Sequence, residues 1–432
     1  MALVLAQATT SFGLMTRRVL IYSPELVGHP RIYCRVIADA LQDQDCEVSL
    51  AIGTTEQAGL HNSPDLQPLI GRSGCSFIET RTRSAAGSPF LSAEELVSLQ
   101  RETAANVTLF IEADKSNDEF NRIAEGAAPR LVGRNIGIFA KTAEWYPGED
   151  SFTGQRKRLV APTVRTTLGN VKRATFARKQ HPRYFYEHTI IGKRVLDVFI
   201  TKDERLADFR GAPALWMPEI SRPKKSLAPG PIPDADGKIS HALKTFVERS
   251  GGRELILYFG DAAYYKGYDL FLEYVARNPD MAAVHAGQLY DQVQLGYFQY
   301  DVARRRSQLA GERRLFETCC YIASDVLKEL LFSSIRFFVS THRLALSSST
   351  MLQAVEQGKP LIVPDRGLLQ HRVKANRLGE TYRYEDLDDL DRAVRRMQSQ
   401  DLRQFGPDIE RFWSQFSDSA VESYWRRVLL TP

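Results

Sequence analysis

Cysteine is scarce in this chain, with five in 432 residues, an odd total and no Cys-x-x-Cys pair. That excludes a disulfide framework and a zinc ribbon, and Cys34, Cys46, Cys75, Cys319 and Cys320 fit a reducing, cytoplasmic setting. Long apolar runs are missing too. LLFSSIRFFVS (330–340) contains Arg336 and falls short of the roughly 18 apolar residues that a membrane-spanning helix needs. The opening MALVLAQATTSFGLMTRRVLIY has no basic segment ahead of its weak apolar stretch, so no signal peptide is expected, and Met15 leads straight into a strand as a second candidate start. Nor does one sign of charge dominate: 57 Lys and Arg against 52 Asp and Glu leave +5, too little to indicate nucleic acid, and no nucleic-acid module accompanies it. What remains is an ordinary globular composition, 43% hydrophobic and 25% charged, long enough for two lobes.

Short β-branched runs alternate with helix-length segments. RVLIYS (18–23), a helix from Ile32 and EVSLAIG (47–53) form a βαβ unit, and SFIET (76–80), VTLFIEAD (107–114), NIGIFA (135–140) and VLDVFITK (195–202) continue it. This predicts a first doubly wound lobe over 1–217. Residues 218–238 hold five prolines and read as a linker, with a lead-in helix up to 252. The alternation restarts over 253–406 with strands at 254–260, 282–287, 315–322, 335–341 and 360–365. Residues 407–432 predict a closing helix, whose aromatic stripe (Phe412, Trp413, Phe416, Tyr424, Trp425) reads as packing.

Open α/β sheets bind ligands beyond the carboxyl ends of their strands. In the second lobe, Gly260 follows the first strand and Lys266-Gly267 opens a helix. A lysine there suits a diphosphate, because its charge adds to the helix dipole; a solvated lysine at a helix start would look the same. Ser347, Ser348, Ser349 and Thr350 follow the strand 335–341 and precede MLQAVEQG. Capping needs one hydroxyl, so four suggest an anion cradle as well as a serine-rich turn.

Taken in order, ELILYFGDAAYYKGYDLFLEYV, AAVHAG, CYIASDVLKELLFSSIRFFVST and SSSTMLQAVEQGKPLIVPDRGLLQHRV resemble the donor lobe of GT-B glycosyltransferases, looking closest to the retaining nucleotide-sugar enzymes of family four. RVLIYSPELVGHPRIYCRVIADALQDQDCEVSLAIG resembles the opening of the acceptor lobe. The resemblance implies two Rossmann-like doubly wound α/β lobes facing a central cleft, with the C-terminal helix crossing back to the first lobe. It implies Lys266 on the donor diphosphate, Ser348, Ser349 and Thr350 offering amides to the same group, Tyr321 and Ile322 meeting the base, and Gly28 approaching from the acceptor lobe. The substrates implied are a UDP- or GDP-type sugar and a glycan or other hydroxyl acceptor, with no metal and no further cofactor.

The departures are specific. The second glutamate of the family's pair, which bonds the ribose, is Gln353 here, and eight positions before it stands Ala345. The arginine usual after the first-strand glycine is Asp261, and the usual first-lobe histidine is replaced near Lys141. Gln353 can still accept a hydroxyl bond, without charge assistance. Glu356, one turn on, is a candidate substitute or an exposed helix carboxylate. Lys141, Glu144 and Trp145 in AKTAEWYPGED are acceptor-side candidates, and His29 a candidate for the sugar or diphosphate; loop polarity explains each equally. Nine basic residues between Arg156 and Arg183, with no acid among them, read as a solvated face or as a peripheral contact with an anionic membrane surface. The expectation is a glycosyltransferase acting in cell-surface polysaccharide or glycoconjugate synthesis, with Lys266, His29 and Glu356 as catalytic candidates. A GT-B-like binding or partner subunit without transfer activity is the second reading, motivated by the missing glutamates.

Overall fold

The computed structural model describes residues 17–24, 29–42, 44–53, 66–80, 90–139, 192–206, 214–219, 234–289, 298–320, 322, 324–343 and 348–430. Gly28, Lys141, Glu144, Trp145, Tyr321, Ser347 and the basic run 156–183 lie outside them, as does the side chain of His29.

The first lobe contains β1 (Arg17–Ser23), α1 (His29–Ala40), β2 (Cys46–Ile52), β3 (Cys75–Glu79), α2 (Ala93–Glu102), β4 (Val107–Phe110), α3 (Asn117–Ala124), β5 (Arg134–Phe139), β6 (Val198–Thr201) and β7 (Ala214–Trp216). Its strands make one parallel sheet in the order β3-β2-β1-β4-β5-β6-β7, with Val19 opposite both Val48 and Val107. Side-chain alternation divides β1 between two cores. Val19 and Ile21 pack with α1 on one face, and Leu20 and Tyr22 with α2 and α3 on the other. Helices on both faces explain why the central strands β1, β4 and β6 are nearly continuous buried runs. Ser92 and Glu95 close a reciprocal capping box that starts α2 where the apolar pattern begins.

The second lobe contains α4 (Asp234–Arg249), β8 (Glu254–Phe259), α5 (Tyr268–Arg277), β9 (Met281–Ala286), α6 (Val302–Gly311), β10 (Leu315–Glu317), α7 (Asp325–Ser333), β11 (Phe338–Val339), α8 (Ser349–Glu356), β12 (Leu361–Pro364), α9 (Gly367–Asn376), β13 (Gly379–Tyr382) and α10 (Leu387–Ser399). Two three-stranded parallel sheets, β10-β9-β8 and β11-β12-β13, meet where β11 lies beside β8. Chain order reverses at that junction.

The helix expected over 407–432 is two helices, α11 (Gly406–Ser414) and α12 (Asp418–Leu430). Ile409, Phe412 and Phe416 stay in the core of the second lobe, whereas Val421, Tyr424, Trp425 and Val428 join α1 in the core of the first. The break falls at Ser417, whose carbonyl and hydroxyl accept from Val421 and Ala420 to start the second helix. Arg426 and Arg134 secure α12 through the Ala40 and Val428 carbonyls. Fully buried Arg372 on α9 reaches the other lobe, donating to Glu204 at 3.0 Å and to the Lys202 carbonyl at 2.9 Å. Among the described residues no helix is long and apolar enough to cross a membrane.

Candidate functional site

The β8/β11 junction is the point at which an open α/β sheet forms a ligand crevice, because the loops on either side run in opposite directions. Gly260 leaves β8 at φ +104°, a conformation that favours glycine. A Cβ on it would lie 3.3 Å from both Lys266 Nζ and Thr350 Cγ2. The absence of a Cβ at Gly260 therefore lets the lysine ammonium and the first turn of α8 come close to the same point of the backbone. Gly287, after β9, passes so close that a Cβ would come within 2.0 Å of the Gly260 carbonyl oxygen.

Lys266 stands 3.9 Å from the Asp261 carboxylate, beyond hydrogen-bond distance. Burial pushes its pKa down and outweighs the upward pull of Asp261, so a desolvated cation is left that a second anion would stabilise. The first-turn N–H groups of α8 supply the other side of such a site. Ser348 is the N-cap, accepting from Met351 N at 3.4 Å and pairing with Thr350 Oγ1 at 2.9 Å. Two of the predicted hydroxyls thus hold the helix start in place.

Ser349, Gln353 and Glu356 fall on one half-exposed stripe of α8, while Met351, Leu352, Ala354 and Val355 enter the core. Gln353 Oε1 is buried and has no hydrogen-bond partner among the described residues. An amide oxygen in that state costs stability unless a ligand donates to it. Ile322 is buried, with its side chain in the same core. The structure thus gathers Gly260, Lys266, Ser348 and Thr350 around the switch point, with Gln353 one turn along α8.

Two residues here were not picked from the sequence, His342 and Arg343. His342 Nδ1 lies 2.8 Å from Ser340 Oγ, and burial, followed by the charge of Lys266, holds its pKa down to about 3. A neutral imidazole therefore borders the lysine at physiological pH. Arg343 is buried against Asp269, with Nη1 at 2.6 Å and Nη2 at 2.9 Å from its two oxygens. The available signal was position, since both residues directly follow the strand read over 335–341. In the first lobe, Lys202 follows β6 with its ammonium 4.9 Å from the Tyr33 ring centroid. Burial lowers its pKa, but Tyr33 and Glu219 outweigh that and raise it, so it stays charged.

No family model matches the chain, and no curated protein matches it by sequence. Solved structures do. Sucrose-phosphate synthase from Thermosynechococcus elongatus superposes with a TM-score of 0.60 at 16% identity, over 95% of this chain and 98% of that one. HepE from Anabaena, solved in complex with UDP, gives 0.58 at 11% identity over 96% and 100%. A glycosyltransferase from Rickettsia africae gives 0.60 at 10% identity over 96% and 100%. Coverage near the full length of every chain includes both lobes and their connection, and the protein therefore has the two-lobed GT-B fold of these glycosyltransferase structures.

Proposed function

We propose that this protein is a glycosyltransferase that moves a sugar from a nucleotide-diphosphate donor to a glycan or other hydroxyl acceptor. The observation that carries this reading is the convergence at Gly260 of the Lys266 ammonium and the first turn of α8, each 3.3 Å from where a Cβ would stand. A diphosphate placed there meets a desolvated ammonium on one side and helix N–H groups on the other. UDP is the first nucleotide to test, since HepE was solved with UDP and an Escherichia coli trehalose-6-phosphate protein with UDP-2-fluoro glucose; GDP is the second.

In the reaction, the bond from the anomeric carbon to the diphosphate oxygen breaks, with its electron pair leaving on the diphosphate. The acceptor oxygen forms the new bond and gives up its proton to the departing diphosphate. Negative charge grows on the leaving group in the transition state, so the fixed charge of Lys266 and the α8 amides favour the transition state over the ground state. These groups do this work without calling on a metal ion. Ser349, Thr350 and Gln353 would complete the donor side, with Gln353 Oε1 accepting a ribose hydroxyl. Tyr321 and Ile322 would meet the base, Gly28 and His29 the diphosphate and sugar, and Lys141, Glu144 and Trp145 the acceptor. Retention at the anomeric carbon, a cytoplasmic setting, a cell-surface glycan or glycoconjugate product and a membrane-facing role for residues 156–183 belong to the same reading.

Calorimetric titration with UDP and GDP, repeated on Lys266→Ala, tests it. Micromolar binding that weakens roughly 10- to 100-fold in the variant is expected, the scale of one charge-assisted hydrogen bond. No binding of either nucleotide by the unaltered protein would refute the proposal. Binding without hydrolysis or transfer of any sugar donor would point to a partner subunit instead.

A further inference from the structure

Four consecutive carbonyls of the turn between β8 and α5 face the donors of one short segment after β11, the last two sharing a single hydroxyl proton. Arg343 Nη1 donates to the Tyr264 carbonyl at 2.9 Å, and Arg343 N to the Tyr265 carbonyl at 2.8 Å. Thr341 Oγ1 lies 3.2 Å from the Lys266 carbonyl and 2.9 Å from that of Gly267. Gly267 (φ +71°) is pressed so closely against this segment that a Cβ would stand 1.9 Å from the Thr341 carbonyl oxygen. The Arg343 guanidinium also lies over the Tyr264 ring, 4.2 Å from its centroid, and donates from Nε to Glu385 at 2.6 Å. Its partner Asp269 is in the first turn of α5 and takes a further bond from Gln299 N at 2.9 Å.

A buried ion pair of this kind stabilises a fold no better than apolar residues of the same volume would, because both charges lose their water. What it adds is direction: a planar fork fixed to a carboxylate leaves one arrangement of the atoms it joins. The atoms joined here are the backbone on either side of Lys266. We propose that Thr341 and Arg343 are positioning residues that clasp the β8–α5 turn across the switch point and set where the Lys266 ammonium stands for a diphosphate. The inference rests on the proposed function, because it gives Lys266 the same ligand. Neither residue needs to touch that ligand; both act through the turn.

The test uses the full chain and the nucleotide pairs UDP with UMP and GDP with GMP, measured by calorimetry. Thr341→Val removes one hydroxyl at constant shape, Arg343→Lys keeps the charge and loses the fork, and thermal unfolding checks that each variant folds. The preference for diphosphate over monophosphate is expected to fall about tenfold in each variant, with monophosphate affinity held within about twofold. Adding either change to Lys266→Ala is expected to cause no further loss, because all three act through one ammonium. Should Arg343→Lys fail to fold, Thr341→Val carries the test alone. Unchanged diphosphate affinity, an equal fall for both nucleotides, or a loss additive with Lys266→Ala would overturn the clasp while leaving the proposed function standing. An unaltered protein that binds no diphosphate, or does not prefer it to the monophosphate, would overturn both.

Discussion

Replacing Gln353 by methionine should strengthen the empty protein and weaken its hold on a nucleotide, by similar free energies of opposite effect. Gln353 Oε1 is buried, and among the described residues nothing donates to it. A buried acceptor in that state costs about 1–3 kcal/mol. Methionine is unbranched, of similar length and a good helix former, so it removes the acceptor with little change of shape or propensity. The midpoint of urea unfolding should therefore rise with its slope unchanged, by an amount equivalent to about 1–3 kcal/mol. If a ribose hydroxyl donates to this oxygen, the ligand recovers the same cost on binding. The methionine variant should then bind nucleoside diphosphate roughly 5- to 150-fold more weakly by calorimetry. A methionine variant that is less stable than the parent and binds equally well would refute the reasoning, because the oxygen would then serve the protein rather than a ligand.

Three further outcomes follow from individual packing contacts. His342 has its pKa held down to about 3, so below its unfolded value of 6.5 the unfolded chain takes the proton first; stability is full above that value and falls as pH drops towards 3. The loss between about pH 7.5 and pH 5 should be on the order of 2 kcal/mol in urea midpoints, and His342→Gln should flatten it. Gly287→Ala puts a Cβ 2.0 Å from the Gly260 carbonyl oxygen, so the end of β8 must shift: about 1–3 kcal/mol of stability and most nucleotide binding should be lost, read by unfolding and calorimetry. Trp425→Ala empties a fully buried site under α12 and should cost about 3–5 kcal/mol; an unfolding midpoint within error of the parent would show that α12 does not support the first lobe.

Much of the architecture was legible because it is written locally. Runs such as RRVLIYS and ELILYF are too apolar and β-branched to be surface strands, and between them lie helix-length segments, which forces a covered parallel sheet. The strands that escaped notice, β7 and β13, are three and four residues long, and GETY has little apolar pattern of its own. What makes it a strand is its pairing with β12, Leu361 opposite Gly379. The terminal stripe was visible as helical periodicity, yet periodicity does not say which core will cover a face. One half of that stripe went to each lobe.

At the site, Gly260, Lys266 and the serine cap were readable from residue type and position relative to a strand end. Arg343 was not, because an arginine after a strand reads as a solvated loop residue. Its burial depends on Asp269, 74 positions earlier, and Glu385, 42 positions later. His342 likewise becomes a neutral neighbour of Lys266 only when the two loops meet. The sequence by itself determined two doubly wound lobes and the loops that carry polar chemistry, since each depends on residue type and spacing along the chain. Only the tertiary structure decided that Gln353 Oε1 is buried with no partner among the described residues, that Lys266 is desolvated beside Gly260, and that Thr341 and Arg343 hold its turn. Burial, desolvation and hydrogen-bond partnership are properties of groups brought together from distant positions, and no local pattern records them.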